Sequence, residues 1–144
     1  MTSTGAYTII DADGLVLGRM ASLVAKRLLN GERIIIVNAE NAVVSGGRSS
    51  VIRQRTRHLE VRGPRWGPYH ERRPDGILRR TVRGMLPTEK PRGKEAYKRL
   101  RAYIGVPLEF KDRQFETLEE IHSSKLGGRF IRLSDIAKSI GWNP

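Results

Sequence analysis

Residues 6–37, AYTIIDADGLVLGRMASLVAKRLLNGERIIIV, decide the fold because their hydrophobic period changes twice. The start of this stretch, 6–14, is typical of a short strand closed by an Asp-Gly turn. From Leu17 onward, apolar residues recur at steps of three and four, which predicts an amphipathic helix that ends at the Asn-Gly pair 30–31. Residues 33–37 form a continuous apolar run, as expected of a strand buried on both faces. A strand, a helix and a buried strand in this order predict a βαβ unit and a parallel sheet.

The composition predicts one folded domain that spans residues 1–144. Hydrophobic residues make up 38% of the chain and charged residues 29%, as in folded proteins rather than disordered ones. No apolar run approaches the roughly 18 residues of a membrane span, and the N-terminus lacks the pattern of a signal peptide. The absence of cysteine excludes disulfides, thiolate metal sites and cysteine nucleophiles. We therefore expect a cytoplasmic protein without membrane contact, and we expect no homo-oligomer.

The net charge of +12 is confined to the middle of the chain. Residues 48–101 hold 17 basic and 5 acidic side chains, whereas all other residues together hold 10 of each. Of the 17 basic side chains 14 are arginine, which binds phosphate through a bidentate fork and stacks on bases. The C-terminal segment 107–144 is near neutral. This distribution favours a polyanionic partner bound by the segment 48–101.

Residues 72–87, RRPDGILRRTVRGMLP, carry apolar and basic side chains at helical spacing. We predict a helix with Asp75 as its N-cap and its end at Pro87. Its apolar face is expected to comprise Leu78, Val82, Met85 and Leu86. Its opposite face is expected to present Arg79, Arg80 and Arg83. A glycine inside this helix, Gly84, suggests close approach to another backbone.

The next segment repeats this design, with Pro91 at a first helical position and Gly105 at the end of the run. The apolar face of this predicted helix comprises Ala96, Tyr97, Leu100, Tyr103 and Ile104. Its other face would carry Lys94, Lys98 and Arg101. One side of each helix would then pack on the domain while the other side presents cations to the partner.

The remaining segments carry weaker patterns. We predict a very short strand at 42–44, a helix at about 48–57 and, in the tail, a strand at 129–133 followed by a helix at 134–140. Residues 58–76 contain three glycines, three prolines and four arginines, which predicts an extended loop that becomes ordered against its partner. A strand at 58–62 is the one regular element that this segment could hold.

Aromatic side chains lie among the arginines of the loop. Trp66, Tyr69 and His70 could stack on exposed bases, at about 1–3 kcal/mol per base. Trp66 and Tyr69 could equally pack the loop onto the domain, and both roles are compatible.

Candidate catalytic and ligand motifs are incomplete. The DADGLVLGRMAS stretch at 11–22 and the SGGRSS stretch at 45–50 match neither a dinucleotide-binding pattern nor a phosphate-binding Walker loop. Both are therefore interpreted as tight turns, although Arg19 could meet a backbone phosphate. The three histidines, His58, His70 and His122, lack metal-ligand spacing. The acidic pairs at 11 and 13 and at 119 and 120 lack the convergent partners that catalysis needs. We therefore expect no enzyme activity, no metal and no cofactor.

The side chains expected to contact RNA come from the basic segment. They are Arg48, Arg53, Arg55, Arg57, Arg62, Arg65, Trp66, Tyr69, His70, Arg72, Arg73, Arg79, Arg80, Arg83, Arg92, Lys94, Lys98 and Arg101.

At residues 82–105, VRGMLPTEKPRGKEAYKRLRAYIG, the sequence resembles the signature of the large-subunit ribosomal protein family numbered thirteen. The stretches at 17–31 and 34–47 are similar to the N-terminal half of that family, and GPYHERRPDGILRRTVRGMLP at 67–87 is similar to its archaeal and eukaryotic branch. The resemblance implies a three-layer α/β/α domain on a small, mostly parallel sheet, with a basic loop and helix as an extension. It also implies a structural and assembly role in the large ribosomal subunit, bound to ribosomal RNA (rRNA) and beside other ribosomal proteins, without catalysis.

Other functions remain open from the residues alone. A stand-alone RNA-binding translational regulator is the main alternative, and tight binding to a short isolated oligonucleotide would distinguish it. A small nucleotide-using enzyme built on the βαβ unit is a third possibility, which would require turnover that depends on Arg19 or Asp13.

Overall fold

The computed structural model describes residues 7–60, 72–125 and 128–143. Strands and α-helices follow one another along these residues, and four short 3-10 helices lie at Ala39–Asn41, Leu108–Phe110, Glu119–Ile121 and Ser123–Lys125. In chain order the main elements are β1 (Tyr7–Asp11), α1 (Leu17–Leu29), β2 (Arg33–Val37), β3 (Val43–Ser45), α2 (Arg48–Glu60), α3 (Pro74–Arg83), α4 (Pro91–Lys98), β4 (Leu100–Ala102), β5 (Phe130–Arg132) and α5 (Leu133–Ser139). No helix within the described ranges is long and apolar enough to cross a membrane.

β2 is the central strand of a parallel sheet with the order β1-β2-β4. Ile35 of β2 is paired with Ile9 of β1 on one side and with Arg101 of β4 on the other. Helix α1 connects β1 to β2, so the predicted βαβ unit and parallel sheet are confirmed. β3 and β5 form a separate antiparallel pair.

The two faces of the parallel sheet are covered by different kinds of structure. One face packs in a continuous core with the apolar sides of α1, α3 and α5, and it presents Ile10, Ile34 and Ile36. The opposite face lies beneath the segment that follows β4, and it presents Ile9, Ile35 and Val37. That segment contributes Tyr103, Val106, Phe110 and Phe115. The predicted α/β fold with a small, mostly parallel sheet is confirmed, and irregular chain with the 3-10 helix Leu108–Phe110 forms its third layer.

The helix predicted from Pro91 to Gly105 is wrong in its second half. Helix α4 ends at Lys98, and β4 follows directly with Leu100 paired to Ile34 of β2. The apolar residues after Lys98 fit both a helical stripe and a strand in which Leu100 and Ala102 alternate with Arg101. The open edge of the buried strand β2 decides between the two, because its backbone groups need hydrogen-bond partners.

Helix α3 is shifted toward the N-terminus relative to the prediction. It begins at Pro74, with Arg73 as N-cap, because the fixed φ of proline suits a first helical position. Asp75, the predicted N-cap, lies inside the first turn, where its carboxylate accepts a hydrogen bond from the Gly76 amide at 2.9 Å. The helix ends at Arg83, so Met85 falls outside the apolar face and is 45% exposed. The predicted loop therefore ends before Pro74 rather than at residue 76.

The other predicted elements differ in detail. Helix α2 extends to Glu60, so a strand at 58–62 is wrong at its first three residues. The short strand near 42–44 and the strand and helix of the tail are confirmed within one residue as β3, β5 and α5. Residues 61–71, which hold most of the predicted loop, lie outside the described residues.

Close backbone approach occurs at Gly93 rather than at Gly84. Gly84 is the C-cap of α3, and a Cβ there would meet only backbone oxygens of its own helix at ordinary distances. A Cβ on Gly93, in the first turn of α4, would overlap the carbonyl group of Pro87. The turn between α3 and α4 therefore packs directly against the α4 backbone.

Gly93→Ala should lower the free energy of unfolding by about 1–3 kcal/mol, because the new methyl group must displace the Pro87 backbone. Gly18→Ala is the matched control, since Gly18 is also in a helical first turn but a Cβ there would meet nothing within 4 Å. The control should keep or raise stability by up to about 1 kcal/mol in urea unfolding. A Gly93→Ala protein as stable as the parent would contradict the packing described.

Arg27, near the C-terminus of α1, joins three parts of the chain. Its Nε and Nη2 donate to the carboxylate of Glu32, at 2.8 and 3.0 Å, and its Nη1 donates to Glu116. The Glu116 backbone pairs with β1, since its amide donates to Ile9 at 2.7 Å and its carbonyl accepts from Asp11 at 3.2 Å. Arg27 therefore ties the segment after β4 to the end of α1. The hydrogen bond from Arg27 holds the pKa of Glu32 below its ordinary value of 4.5.

Stability should fall in acid partly through Glu32. Because its folded pKa is lowered, its contribution is complete above the ordinary value of 4.5 and is lost as pH falls through the lower folded value. Urea midpoints measured from pH of about 7 to about 3 should therefore decline less steeply for Glu32→Gln than for the parent. Glu89→Gln, which changes an exposed carboxylate, should follow the parent curve. Parallel curves for the parent and Glu32→Gln would argue against this contribution.

Candidate nucleic-acid interface

The described part of the chain contains twelve of the predicted RNA-contacting residues with their side chains. Ten of these twelve are exposed: Arg48, Arg53, Arg72, Arg73, Arg80, Arg83, Arg92, Lys94, Lys98 and Arg101. Arg55 and Arg79 are partly buried. The predicted contacts Arg62, Arg65, Trp66, Tyr69 and His70 lie outside the described residues, as does the side chain of Arg57. The proposed stacking by the aromatic loop side chains therefore stays a prediction.

Helix α3 has the two-sided character that its sequence predicts. Leu78 and Val82 are fully buried in the main core, and Ile77 is 2% exposed. Arg80 and Arg83 are exposed. The helix packs against α1 through its apolar side, so its exposed guanidinium groups are carried on a firmly held element.

Arg79 does not lie on the open face of α3. Its guanidinium carbon lies 5.3 Å from the ring centroid of Tyr97 in α4, a cation–π geometry. Its Nε is buried without a hydrogen-bond partner among the described residues. Position 79 adjoins Leu78 and lies one turn before Val82, so it borders the apolar stripe that the prediction placed opposite. Arg79 therefore joins α3 to α4.

Arg101 is also placed differently from the prediction. It belongs to β4, between Leu100 and Ala102, whose side chains are buried in the helix-covered core. Because side chains alternate along a strand, Arg101 lies on the other face of the sheet. It cannot continue the row formed by Lys94 and Lys98 on α4.

Helix α2 borders a groove of about 480 Å³ that we call the α2 groove. Its lining residues are Gly47, Arg48, Ser49, Ile52, Arg53 and Arg129. Arg48 and Arg53 were predicted from the sequence. Arg129 was missed, because it belongs to the near-neutral tail and only the pairing of β3 with β5 brings it beside α2. No charge or motif signal in the sequence could have found it.

A second groove, the α1 groove, has a volume of about 410 Å³ and lies at the start of α1. Its lining residues are Val16, Leu17, Gly18, Arg19, Val44, Ser45, Arg55 and Thr81. Burial lowers the pKa of Arg55, because desolvation disfavours its charged form. The first turn of α1 contains no acidic residue. Two guanidinium groups thus share a concave surface, which supports the suggestion that Arg19 could meet a phosphate.

Asp11 and His122, two of the side chains considered for catalysis or metal binding, hold local turns. The Asp11 carboxylate accepts hydrogen bonds from the Asp13 amide and from Asn38 Nδ2, both at 3.0 Å, so it holds the turn after β1. His122 Nδ1 accepts a hydrogen bond from the Ser124 amide at 3.1 Å. Among the described side chains, no group of three or more histidine or acidic residues has an arrangement that could hold a metal ion.

Comparison with known proteins identifies relatives along most of the chain. The family described as Ribosomal protein L13 matches residues 6–109. The large ribosomal subunit protein uL13 of Archaeoglobus fulgidus is 43% identical, with 94% of this chain and 88% of that protein covered. The proteins of the same name from Methanosarcina barkeri and Methanocaldococcus jannaschii are each 46% identical, with 93% of this chain and 97% of the relative covered. Coverage of this extent includes most of the tail 107–144.

The two sides of α3 should respond differently to mutation. Leu78→Ala should lower the free energy of unfolding by about 2–5 kcal/mol, because Leu78 is fully buried. The double variant Arg80→Ala/Arg83→Ala should change it by less than about 0.5 kcal/mol, because both side chains are exposed. Urea unfolding of the three proteins measures both effects. A double variant as unstable as Leu78→Ala would show that the arginines support the fold.

Proposed function

The chain belongs to the ribosomal protein L13 family, and from this membership we propose that it is a structural constituent of the large ribosomal subunit. It acts in the cytoplasmic ribosome, where it associates with rRNA and with other ribosomal proteins. Its role is structural rather than enzymatic. We propose in addition that it contributes to subunit assembly, as the family resemblance implies.

The observation that carries the RNA-binding part of the proposal is the exposed cationic side of three helices. Arg48 and Arg53 on α2, Arg80 and Arg83 on α3, and Lys94 and Lys98 on α4 are all exposed. The opposite sides of these helices contribute Val51, Leu78, Val82 and Ala96 to one core. The cations are thus fixed to a rigid body, and a rigid array loses less conformational entropy on binding than a flexible segment does.

Phosphate contacts supply most of the affinity in this proposal. Each phosphate that an arginine or lysine neutralises releases counterions, so binding weakens as salt rises. Specificity comes from RNA shape and from unstacked bases, because the major groove of an A-form duplex is too narrow for side chains to read. The cationic groups at Arg57, Arg62, Arg65, Arg72, Arg73, Arg92 and Arg101, with Trp66, Tyr69 and His70, complete the proposed contacts.

Arg55 and Arg79 have separate places in the proposal. Arg55 binds phosphate at the α1 groove together with Arg19, since both line it. Arg79 acts indirectly: by packing over Tyr97 it holds α3 and α4 side by side, and so sets the spacing of their exposed cations. These two roles separate direct contact with RNA from the positioning of other residues.

Binding of the purified chain to deproteinised large-subunit rRNA from one of the archaeal relatives tests the proposal. Arg80→Ala/Arg83→Ala should weaken binding and lower the slope of log affinity against log salt by about 2, or about 1 for each lost phosphate contact. The control Lys111→Ala/Arg113→Ala removes the same charge from exposed positions in the near-neutral tail, and it should leave the slope nearly unchanged.

Sedimentation tests the cellular role independently. A tagged copy expressed in the cells that encode the chain should travel with the large subunit in lysate gradients and should stay bound through a salt wash. The Arg80→Ala/Arg83→Ala copy should be partly released by the same wash, and the tail control should not. A parent protein found at the top of the gradient, with tight binding to a short oligonucleotide, would favour a stand-alone regulator instead.

A further inference from the structure

We propose that Arg129 acts with Arg48 and Arg53 to bind the phosphate backbone of rRNA in the α2 groove. The near-neutral tail would then contribute a direct RNA contact besides its structural role. This inference rests on the proposed function, since it names a further binding site for the same partner. The proposal identifies the ligand as phosphodiester groups, recognised by guanidinium forks.

The position of Arg129 is set by backbone hydrogen bonds on either side of it. The Gly46 amide donates to the Arg129 carbonyl at 2.8 Å, and the next residue, Phe130, is paired with Ser45 of β3. Farther along, the Leu133 amide donates to the Ala42 carbonyl at 2.7 Å. Arg129 is therefore held beside Gly47, where α2 begins.

The turn that precedes α2 has a conformation that brings the two segments together. Gly46 has a φ of +125°, a backbone conformation that residues other than glycine rarely adopt. A Cβ at this position would also lie 3.0 Å from Val51 Cγ2 of α2. The Ser-Gly-Gly stretch, which the sequence indicated only as a tight turn, thus brings α2 next to β5, and its Gly47 lines the groove.

The charges around the α2 groove are unbalanced. Arg48 lies near one carboxylate, Asp135, at 3.9 Å, and both side chains are largely exposed, at 67% and 43%. Such a contact is worth little in water. Arg53 and Arg129 have no acidic partner among the side chains that the structure describes. Within the described ranges, three guanidinium groups thus face one weak counter-charge, and a bound anion would balance them.

An RNA backbone fits this site better than a lone anion does. The groove has a volume of about 480 Å³, which places it in the size range of ligand sites rather than single-ion sites. Arg48 and Arg53 stand five residues apart on α2, with Arg129 entering from the neighbouring strand, so the donors come from two sides. Successive phosphates of one strand can accept from donors arranged in this way.

The experiment compares single variants of the full chain in binding to the deproteinised archaeal rRNA. Arg129→Ala should weaken binding about tenfold at moderate salt and lower the salt slope by about 1. Arg129→Lys should keep the slope, because it keeps the charge, but should recover only part of the affinity, because the bidentate fork is lost. Arg113→Ala, an exposed arginine of the same tail outside the groove, should behave like the parent.

The outcomes separate this inference from the proposed function. If Arg48→Ala/Arg53→Ala weakens binding while Arg129→Ala matches Arg113→Ala, the inference is overturned and the proposed function stands. If none of the variants changes binding, both fail. If Arg129→Ala leaves RNA affinity unchanged but reduces incorporation into particles, the groove holds an acidic segment of a neighbouring protein, and the inference is again overturned.

A chemical probe gives a second measurement that does not depend on affinity. The chain contains no cysteine, so Ser49→Cys places a single thiol in the groove while keeping all three arginines. An iron chelate attached there should cut the rRNA backbone locally in assembled particles. The same chelate at Arg113→Cys serves as the control for general proximity. Absence of cuts from position 49 in particles that contain the protein would overturn the inference.

Discussion

The burial of β2 on both of its faces is the constraint on which the rest of the structure depends. Ile34, Ile35, Ile36 and Val37 are each between 0% and 3% exposed, so both surfaces of the small sheet need covering. Helices α1 and α3 cover one surface, in a core that continues to α5, and the segment after β4 covers the other. Because α3 directs its apolar stripe into the core against α1 and β4, its exposed arginines, Arg80 and Arg83, lie on the outer surface. The cationic surface is thus a consequence of how the core is filled.

The basic segment divides its cations between structural and exposed roles. Arg79 packs over Tyr97, and Arg99 donates from Nη1 to the Leu28 carbonyl at 2.8 Å, so both hold helices together. Arg80 and Arg83, by contrast, are exposed. Exposed like charges repel one another only weakly in water and salt, and an RNA backbone would convert that repulsion into attraction. Composition alone therefore overstates how many arginines are free to bind RNA.

For the tail, composition has the opposite effect and understates the number of cations near the RNA-binding segment. Its charge is balanced overall, yet the fold places one of its arginines beside α2. Arg129 adjoins α2 only because β5 pairs with β3, although α2, α3, α4 and β4 separate the two strands in the sequence. The tail also closes the far face of the sheet, where Arg27 holds Glu116 against the end of α1. A segment that is neutral overall thus completes the core and borders a cationic groove.

The sequence by itself determined the β1-α1-β2 unit, the two-sided α3 and the location of the positive charge, because each depends on spacing within a single segment. Only the tertiary structure decided that residues 100–102 form a strand. Their apolar spacing suits a helix as well, and pairing with the otherwise open edge of β2 selects the strand. The tertiary structure likewise decided the placement of Arg79, Arg101 and Arg129. Where a side chain points depends on the element packed against it, and that element is distant in the sequence.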